Sequence, residues 1–121
     1  MSNDCGRPLC CRGDSGLPTK PEERASKWGD FKCDLAPITM RAMLDYIKEM
    51  KPQAVFWTGD TIPHNLESLD VTDNVNIIKN ATIEVAERLD GISVFPSIGN
   101  HDTYPQDLIY MDTPRENDVI N

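Results

Sequence analysis

The sequence lacks any apolar run of about 18 residues, so no transmembrane helix is expected. It also lacks a basic excess. Lys plus Arg total 12 against 20 for Asp plus Glu, which gives a net charge of −8. Nucleic acid is thereby disfavoured as a partner, because phosphate backbones attract basic faces. A small phosphate-bearing substrate stays open, since a bound metal reverses the local sign of a carboxylate-rich cleft. The opening stretch, Met1-Ser2-Asn3-Asp4-Cys5, has no apolar h-region, so it does not read as a signal peptide. No Cys-x-x-Cys pair occurs, which argues against a zinc knuckle.

What is present fits one small domain: 121 residues, 39% of them apolar. The four cysteines are Cys5, Cys10, Cys11 and Cys33. An even count in a loop-like stretch predicts disulfides and an oxidising compartment, although four free thiols are the plain alternative. A secreted-type cysteine pattern without a leader predicts that the true N-terminus lies upstream. Residues 1–34 are rich in Gly, Pro, Cys and charge and read as an irregular, stapled loop. No internal repeat or low-complexity tract is evident.

From Pro37 the pattern changes. Met40, Met43, Leu44, Ile47 and Met50 recur at helical spacing and predict an amphipathic helix over 38–50, its start helped by Thr39 or Asp34. Lys51-Pro52 ends it, because a residue before proline is pushed out of the α region. Ala54-Val55-Phe56-Trp57 is short, apolar and β-prone, and reads as a buried strand broken by Gly59. A polar loop from Thr61 to Asp70 follows. Val75, Ile78, Thr82, Val85, Ala86 and Leu89 mark one face of a second helix, with Thr72 or Asp73 as its N-cap. Ile92 to Ile98 reads as a second strand, in which Pro96 fits an edge or a bulge. Everything after Gly99 reads as polar loop. The order helix, strand, helix, strand predicts a βαβ unit with parallel strands and a right-handed crossover.

Two motifs follow the two strands: Trp57-Thr58-Gly59-Asp60 and Gly99-Asn100-His101-Asp102. In open α/β sheets, sites gather at the carboxyl ends of strands, so this topology brings Asp60 and Asn100 to one sheet edge. Divalent metals prefer carboxylate, amide oxygen and imidazole donors. Asp60 offers two oxygens with which to bridge two ions, and Asn100 a neutral amide oxygen. The only histidines, His64 and His101, lie in the same loops. Two-metal sites activate a bridging water for in-line attack at phosphorus, and the leaving alkoxide then needs a proton, which histidine supplies near neutral pH. Alone, Gly-Asp after a strand is an ordinary turn, Gly-Asn is a turn pair, and a loop histidine is usually solvated. The joint pattern is what carries the signal.

These two blocks resemble the second and third signature blocks of the calcineurin-like metallophosphoesterases. The resemblance is closer to the acid sphingomyelinase branch. Cys5-Gly6-Arg7-Pro8-Leu9-Cys10-Cys11-Arg12, Gly16-Leu17-Pro18, Trp28-Gly29, Lys32-Cys33-Asp34-Leu35, and Trp57-Thr58-Gly59-Asp60 with His64 all resemble that branch, so the similarity runs from Cys5 to about Asn121. It implies an α/β fold: a βαβ fragment of a metallophosphoesterase sandwich with a disulfide-stapled N-terminal loop. On this division residues 1–34 form the cysteine-rich loop and 35–121 the partial core. The resemblance further implies that Asp60 bridges two zinc ions, that Asn100 binds one of them, and that His64 and His101 lie near the phosphate as proton donors. It implies disulfides Cys5–Cys10 and Cys11–Cys33, where sequence alone allows three pairings. The implied substrate is sphingomyelin at a membrane surface, cleaved to ceramide and phosphocholine, and the implied residence of the full-length parent is secreted or lysosomal. The chain departs from the family in lacking an upstream Asp-x-His, a later His block and a Gly-His-x-His block. Most zinc ligands are therefore absent, and weak or no activity is expected of this chain alone.

Other patterns compete. Gly13-Asp14-Ser15-Gly16 is similar to the nucleophile segment of trypsin-like proteases, but no triad can be assembled around it. Arg12-Gly13-Asp14-Ser15 is an integrin-type tetrapeptide beside two cysteines, which makes a binding module a further reading, alongside an inactive fragment or a phosphoesterase with another diester substrate. Asn80-Ala81-Thr82 is an N-glycosylation sequon on the second helix, placing Asn80 as an acceptor if exposed. Met40, Met43 and Met50 read as core filling.

Overall fold

A computed structural model describes residues 16, 18, 20–65 and 68–107. Helix α1 spans Pro37–Glu49, strand β1 Ala54–Trp57, helix α2 Val71–Arg88 and strand β2 Ser93–Pro96. Short 3₁₀ turns lie at Pro21–Glu23 and Asn100–Asp102. The order is the one the sequence predicts, and β1 and β2 pair in parallel, Ala54 opposite Ser93 through Trp57 opposite Pro96.

The helix starts differ from expectation. Helix α1 has Ala36 as N-cap with no side-chain cap. Pro37 at the first helical position needs no capping partner, since it has no N–H to satisfy. Thr39 instead donates its hydroxyl to the Trp28 carbonyl oxygen (2.6 Å), and Asp34 bonds His64. The other end of α1 is as expected: the helix stops at Glu49, and Lys51, at φ +49°, lies outside the right-handed helical region. Helix α2 is capped by Asp70, not by Thr72 or Asp73. Asp70 Oδ1 accepts from the Asp73 N–H (2.9 Å), and Asp73 Oδ2 accepts from the Asp70 N–H (3.1 Å), a reciprocal capping box.

One core lies between the two helices and one face of the sheet. Leu44, Val85 and Leu89 are buried, packed by Met40, Ile47, Val55, Trp57, Ile92 and Val94. The period-2 alternation of a strand sends Val55 and Trp57 inward and Phe56 outward. On α1, Leu44 and Ile47 face this core, but Met43 and Met50 are exposed and do not fill it. On α2 the buried face runs through Asn74, Ala81, Val85 and Leu89, which leaves Val75, Thr82 and Ala86 exposed. The reason is phase: Asn74 starts the buried stripe, and a polar residue there hides it from a hydrophobicity pattern. The outer faces of the two helices meet in ion pairs: Arg41 to Glu84 (2.6 Å), Arg88 to Glu84 (3.0 Å) and Arg88 to Asp45 (2.6 Å).

Strand β2 is shorter than the expected 92–98 span and ends at Pro96. The Ser97 N–H still reaches the Trp57 carbonyl oxygen (2.8 Å), so both strands stop side by side with their motif loops adjacent. The 3₁₀ turn replaces the plain loop expected after Gly99.

Candidate active-site edge

The loop after β1 turns through two consecutive left-handed residues, Gly59 (φ +81°) and Asp60 (φ +54°). In this turn the successive N–H groups of Asp60 and Thr61 converge on one carboxylate. Asp102 Oδ2 accepts from the N–H groups of Asp60 (2.9 Å) and Gly99 (2.9 Å), and Oδ1 from that of Thr61 (2.7 Å). In return Asp60 Oδ1 accepts from the His101 N–H (3.2 Å). The two motifs, 42 residues apart at Asp60 and Asp102, are thus one interlocked unit. Both glycines are required by contact. A Cβ on Gly59 would strike Asp102 Oδ2 and the backbone at Ile98 and Gly99, and one on Gly99 would strike Asp60. Ile62, 3% exposed, pins the loop that continues from Asp60.

The histidines converge as the topology predicts. The rings of His64 and His101 stand edge to face, 4.6 Å between centroids. His64 is held from behind by Asp34: its N–H donates to Oδ2 (3.0 Å) and its Nδ1 lies 2.6 Å from Oδ1. Asn100 donates its Nδ2 to Asp107 Oδ1 (2.8 Å) while its carbonyl oxygen accepts from the Asp107 N–H (3.0 Å). That grip leaves Oδ1, the metal-binding half of the amide, without a hydrogen bond among the described residues. Asp60 likewise has Oδ1 engaged and Oδ2 uncommitted among the described residues.

The structure therefore brings together all four residues expected at this edge: Asp60, His64, Asn100 and His101. Sequence reasoning missed three supporting carboxylates. Asp102 was visible as the last letter of its motif, but its role as a clamp depends on a loop 42 residues away. Asp34 and Asp107 carry no local signal for their partners.

A zinc pair asks for several converging donors. Among the described residues, no group of three or more His, Cys, Asp or Glu side chains is placed to hold a metal ion. Asp102 is spent on backbone N–H groups and Asp34 on His64, which leaves two oxygen donors, Asp60 and Asn100. The described residues on their own do not fit a two-zinc site.

The remaining expected sites are more simply placed. Asn80 is exposed on α2, so its side chain is reachable. Cys33 is disulfide-bonded. Cys5, Cys10 and Cys11 lie outside the described residues, as do Arg12, Gly13, Asp14 and Ser15 of the adhesion-type and protease-like tetrapeptides. Among the described residues no helix is long and apolar enough to cross a membrane.

No family model matches the chain. Individual relatives do. Sphingomyelin phosphodiesterase of Bos taurus is 36% identical over 104 residues, 84% of this chain and 17% of that protein. Sphingomyelin phosphodiesterase B of Dictyostelium discoideum is 35% identical over 109 residues, 87% of this chain and 17% of that protein. A cyclic GMP-AMP phosphodiesterase of Rattus norvegicus is 34% identical over 91 residues, 73% of this chain and 20% of its own length. The chain thus spans about a sixth of the length of the sphingomyelin phosphodiesterases it matches.

Proposed function

From a chain that is homologous to a segment of the sphingomyelin phosphodiesterases, we infer a part of a phosphodiesterase centre of sphingomyelinase type. The observation that carries this is the interlock of the Asp60 and Asn100 loops at the ends of two parallel strands, with His64 and His101 ring against ring beside them. Both loops follow the carboxyl ends of parallel strands, which supports this reading because open α/β sheets bind ligands there.

In this proposal Asp60 and Asn100 are two oxygen ligands of a zinc centre whose other donors lie outside the described residues. Asp60 and Asn100 would hold part of that centre, and once completed it would supply an activated water for attack at phosphorus. The chain's own residues do the rest. His101 and His64 face the phosphate and its leaving oxygen, as proton donors. Asp102 holds the two loops at fixed separation. The substrate is sphingomyelin presented at a membrane surface, cleaved to ceramide and phosphocholine, and the full-length protein works in the secreted or lysosomal space, with Asn80 glycosylated. The complete domain is a metallophosphoesterase sandwich in which β1 and β2 are two strands.

The cyclic GMP-AMP phosphodiesterase among the relatives supports a second reading, the same chemistry on another diester. The two differ in substrate and share the residues named here.

Zinc titration of the purified chain followed by calorimetry tests the ligand assignment. Weak binding is expected, lost in both Asp60→Ala and Asn100→Ala, with hydrolysis of a phosphocholine diester near background. Binding that survives both substitutions would remove these residues from the metal site. Tight uptake of two zinc ions with brisk hydrolysis would show that the 121 residues supply a full set of donors by themselves.

A further inference from the structure

We propose that Asp34 is a positioning residue for His64, fixing which ring nitrogen carries the proton and which way the ring turns. The proposal rests on the role inferred above for His64 at a phosphodiester, and it adds a residue that none of the site motifs contains.

The geometry is a two-point grip. One carboxylate takes both the backbone N–H and the ring nitrogen Nδ1 of the same residue, at 3.0 and 2.6 Å. A side-chain ion pair alone leaves a histidine free to rotate about its χ angles. Holding the backbone and the ring from the same two oxygens removes that freedom. A carboxylate accepts and does not donate, so the bonded Nδ1 must carry the proton. The neutral ring is then the Nδ1–H tautomer, with the Nε2 lone pair turned away from Asp34. A carboxylate in this place orients an imidazole in the way that second partners set the tautomer of catalytic and metal-binding histidines.

Asp34 is itself anchored. The Asp30 carbonyl oxygen accepts from the Cys33 N–H (3.0 Å), and Asp30 Oδ1 accepts from the Lys32 N–H (3.0 Å), which folds residues 30–33 into a turn. Cys33, next in the chain, is disulfide-bonded. A stretch that begins outside both motif loops thus reaches 30 residues forward to hold the ring that faces His101. The arrangement gives the Asp34 stretch a task at the site rather than a purely architectural one.

The test uses the 121-residue chain with ¹⁵N-labelled histidine. With two histidines in the sequence, a long-range ¹H–¹⁵N correlation assigns each ring. Above the pH at which both rings lose their extra proton, the wild type should show His64 with a protonated Nδ1 and an unprotonated Nε2. This is the reverse of the tautomer that an unrestrained histidine side chain favours. Asp34→Ala should return His64 to the Nε2–H form, and Asp34→Asn, which can either accept or donate, should give a mixture. His101 should change little in either. A wild-type His64 found mainly as Nε2–H would overturn the proposal, whether or not the variants fold. So would an unchanged tautomer in a folded Asp34→Ala chain. No substrate or metal enters the readout, so its failure is separate from failure of the phosphodiesterase reading.

Discussion

At the scale of single residues, Asp102 carries the structural weight of the site. It is drawn to the same spot by three N–H groups from two loops. Hydrogen bonds to a charged group contribute about 1.5–3 kcal/mol each when well shielded, and less in a half-exposed turn. Asp102→Ala should therefore cost about 2 kcal/mol in a denaturant titration and, beyond that, separate the two histidine rings, read as loss of His64–His101 cross-relaxation. Asp102→Asn should lie between, because an amide accepts at one end only. Gly59 is the second such residue. Placing a side chain at φ +81° costs about 1–2 kcal/mol before any clash, and the added Cβ meets Asp102 and the facing backbone. Gly59→Ala should lower stability by about 3 kcal/mol. A change under about 0.5 kcal/mol, the usual range for an uninvolved surface position, would refute the interlock.

At the scale of elements, the helix–strand–helix–strand order and the pairing of the strands were legible, because hydrophobic period and Gly/Pro punctuation encode them locally. The phase of α2 was not. Its buried stripe begins at Asn74, and Val75, apolar but exposed, pulls a periodicity argument one position off. The α2 cap was read two or three residues late for a related reason: Asp70 and Asp73 are both good capping residues, and only the backbone shows which one precedes the first helical residue. Leu89, 2% exposed, closes the core just past α2, so Leu89→Ala should cost about 2–5 kcal/mol by thermal or denaturant unfolding. Between α1 and α2, hydrogen bonds from Arg41 and then Arg88 hold the Glu84 carboxyl below its ordinary pKa. A lowered carboxyl pKa contributes stability that is present above the unfolded value, near 4.3, and is lost as pH falls through the folded one. Unfolding temperature should therefore fall as pH drops below about 4.3, with a smaller fall in Glu84→Gln. An identical acid profile in wild type and variant would assign the acid sensitivity elsewhere. Added salt should weaken the same contribution, since the pairs are solvent-accessible.

At the scale of the molecule, the candidate-site residues were more legible than the residues that hold them. Asp60, His64, Asn100 and His101 announce themselves by type and by their place after strands, and the fold brings them to one edge. Asp34, Asp102 and Asp107 act through partners that no local pattern names. Stacked Phe56 and Phe95, 5.4 Å between centroids, lie on the sheet face opposite the core and are largely exposed among the described residues. Among the described residues the two-stranded parallel sheet is packed on one face, whereas parallel sheets are normally buried on both. That agrees with a chain spanning 17% of its bovine relative.

The most direct measurement places this segment in a complete enzyme. The matched span of the bovine sphingomyelin phosphodiesterase is replaced by the homologous residues of this chain, and hydrolysis of sphingomyelin and of a cyclic dinucleotide is followed. Sphingomyelin hydrolysis should persist, and fall by about 10²-fold or more in Asp60→Ala and in His101→Ala, in keeping with loss of a metal ligand or a proton donor. A folded chimera with no diesterase activity, or one indifferent to Asp60→Ala, would contradict the account.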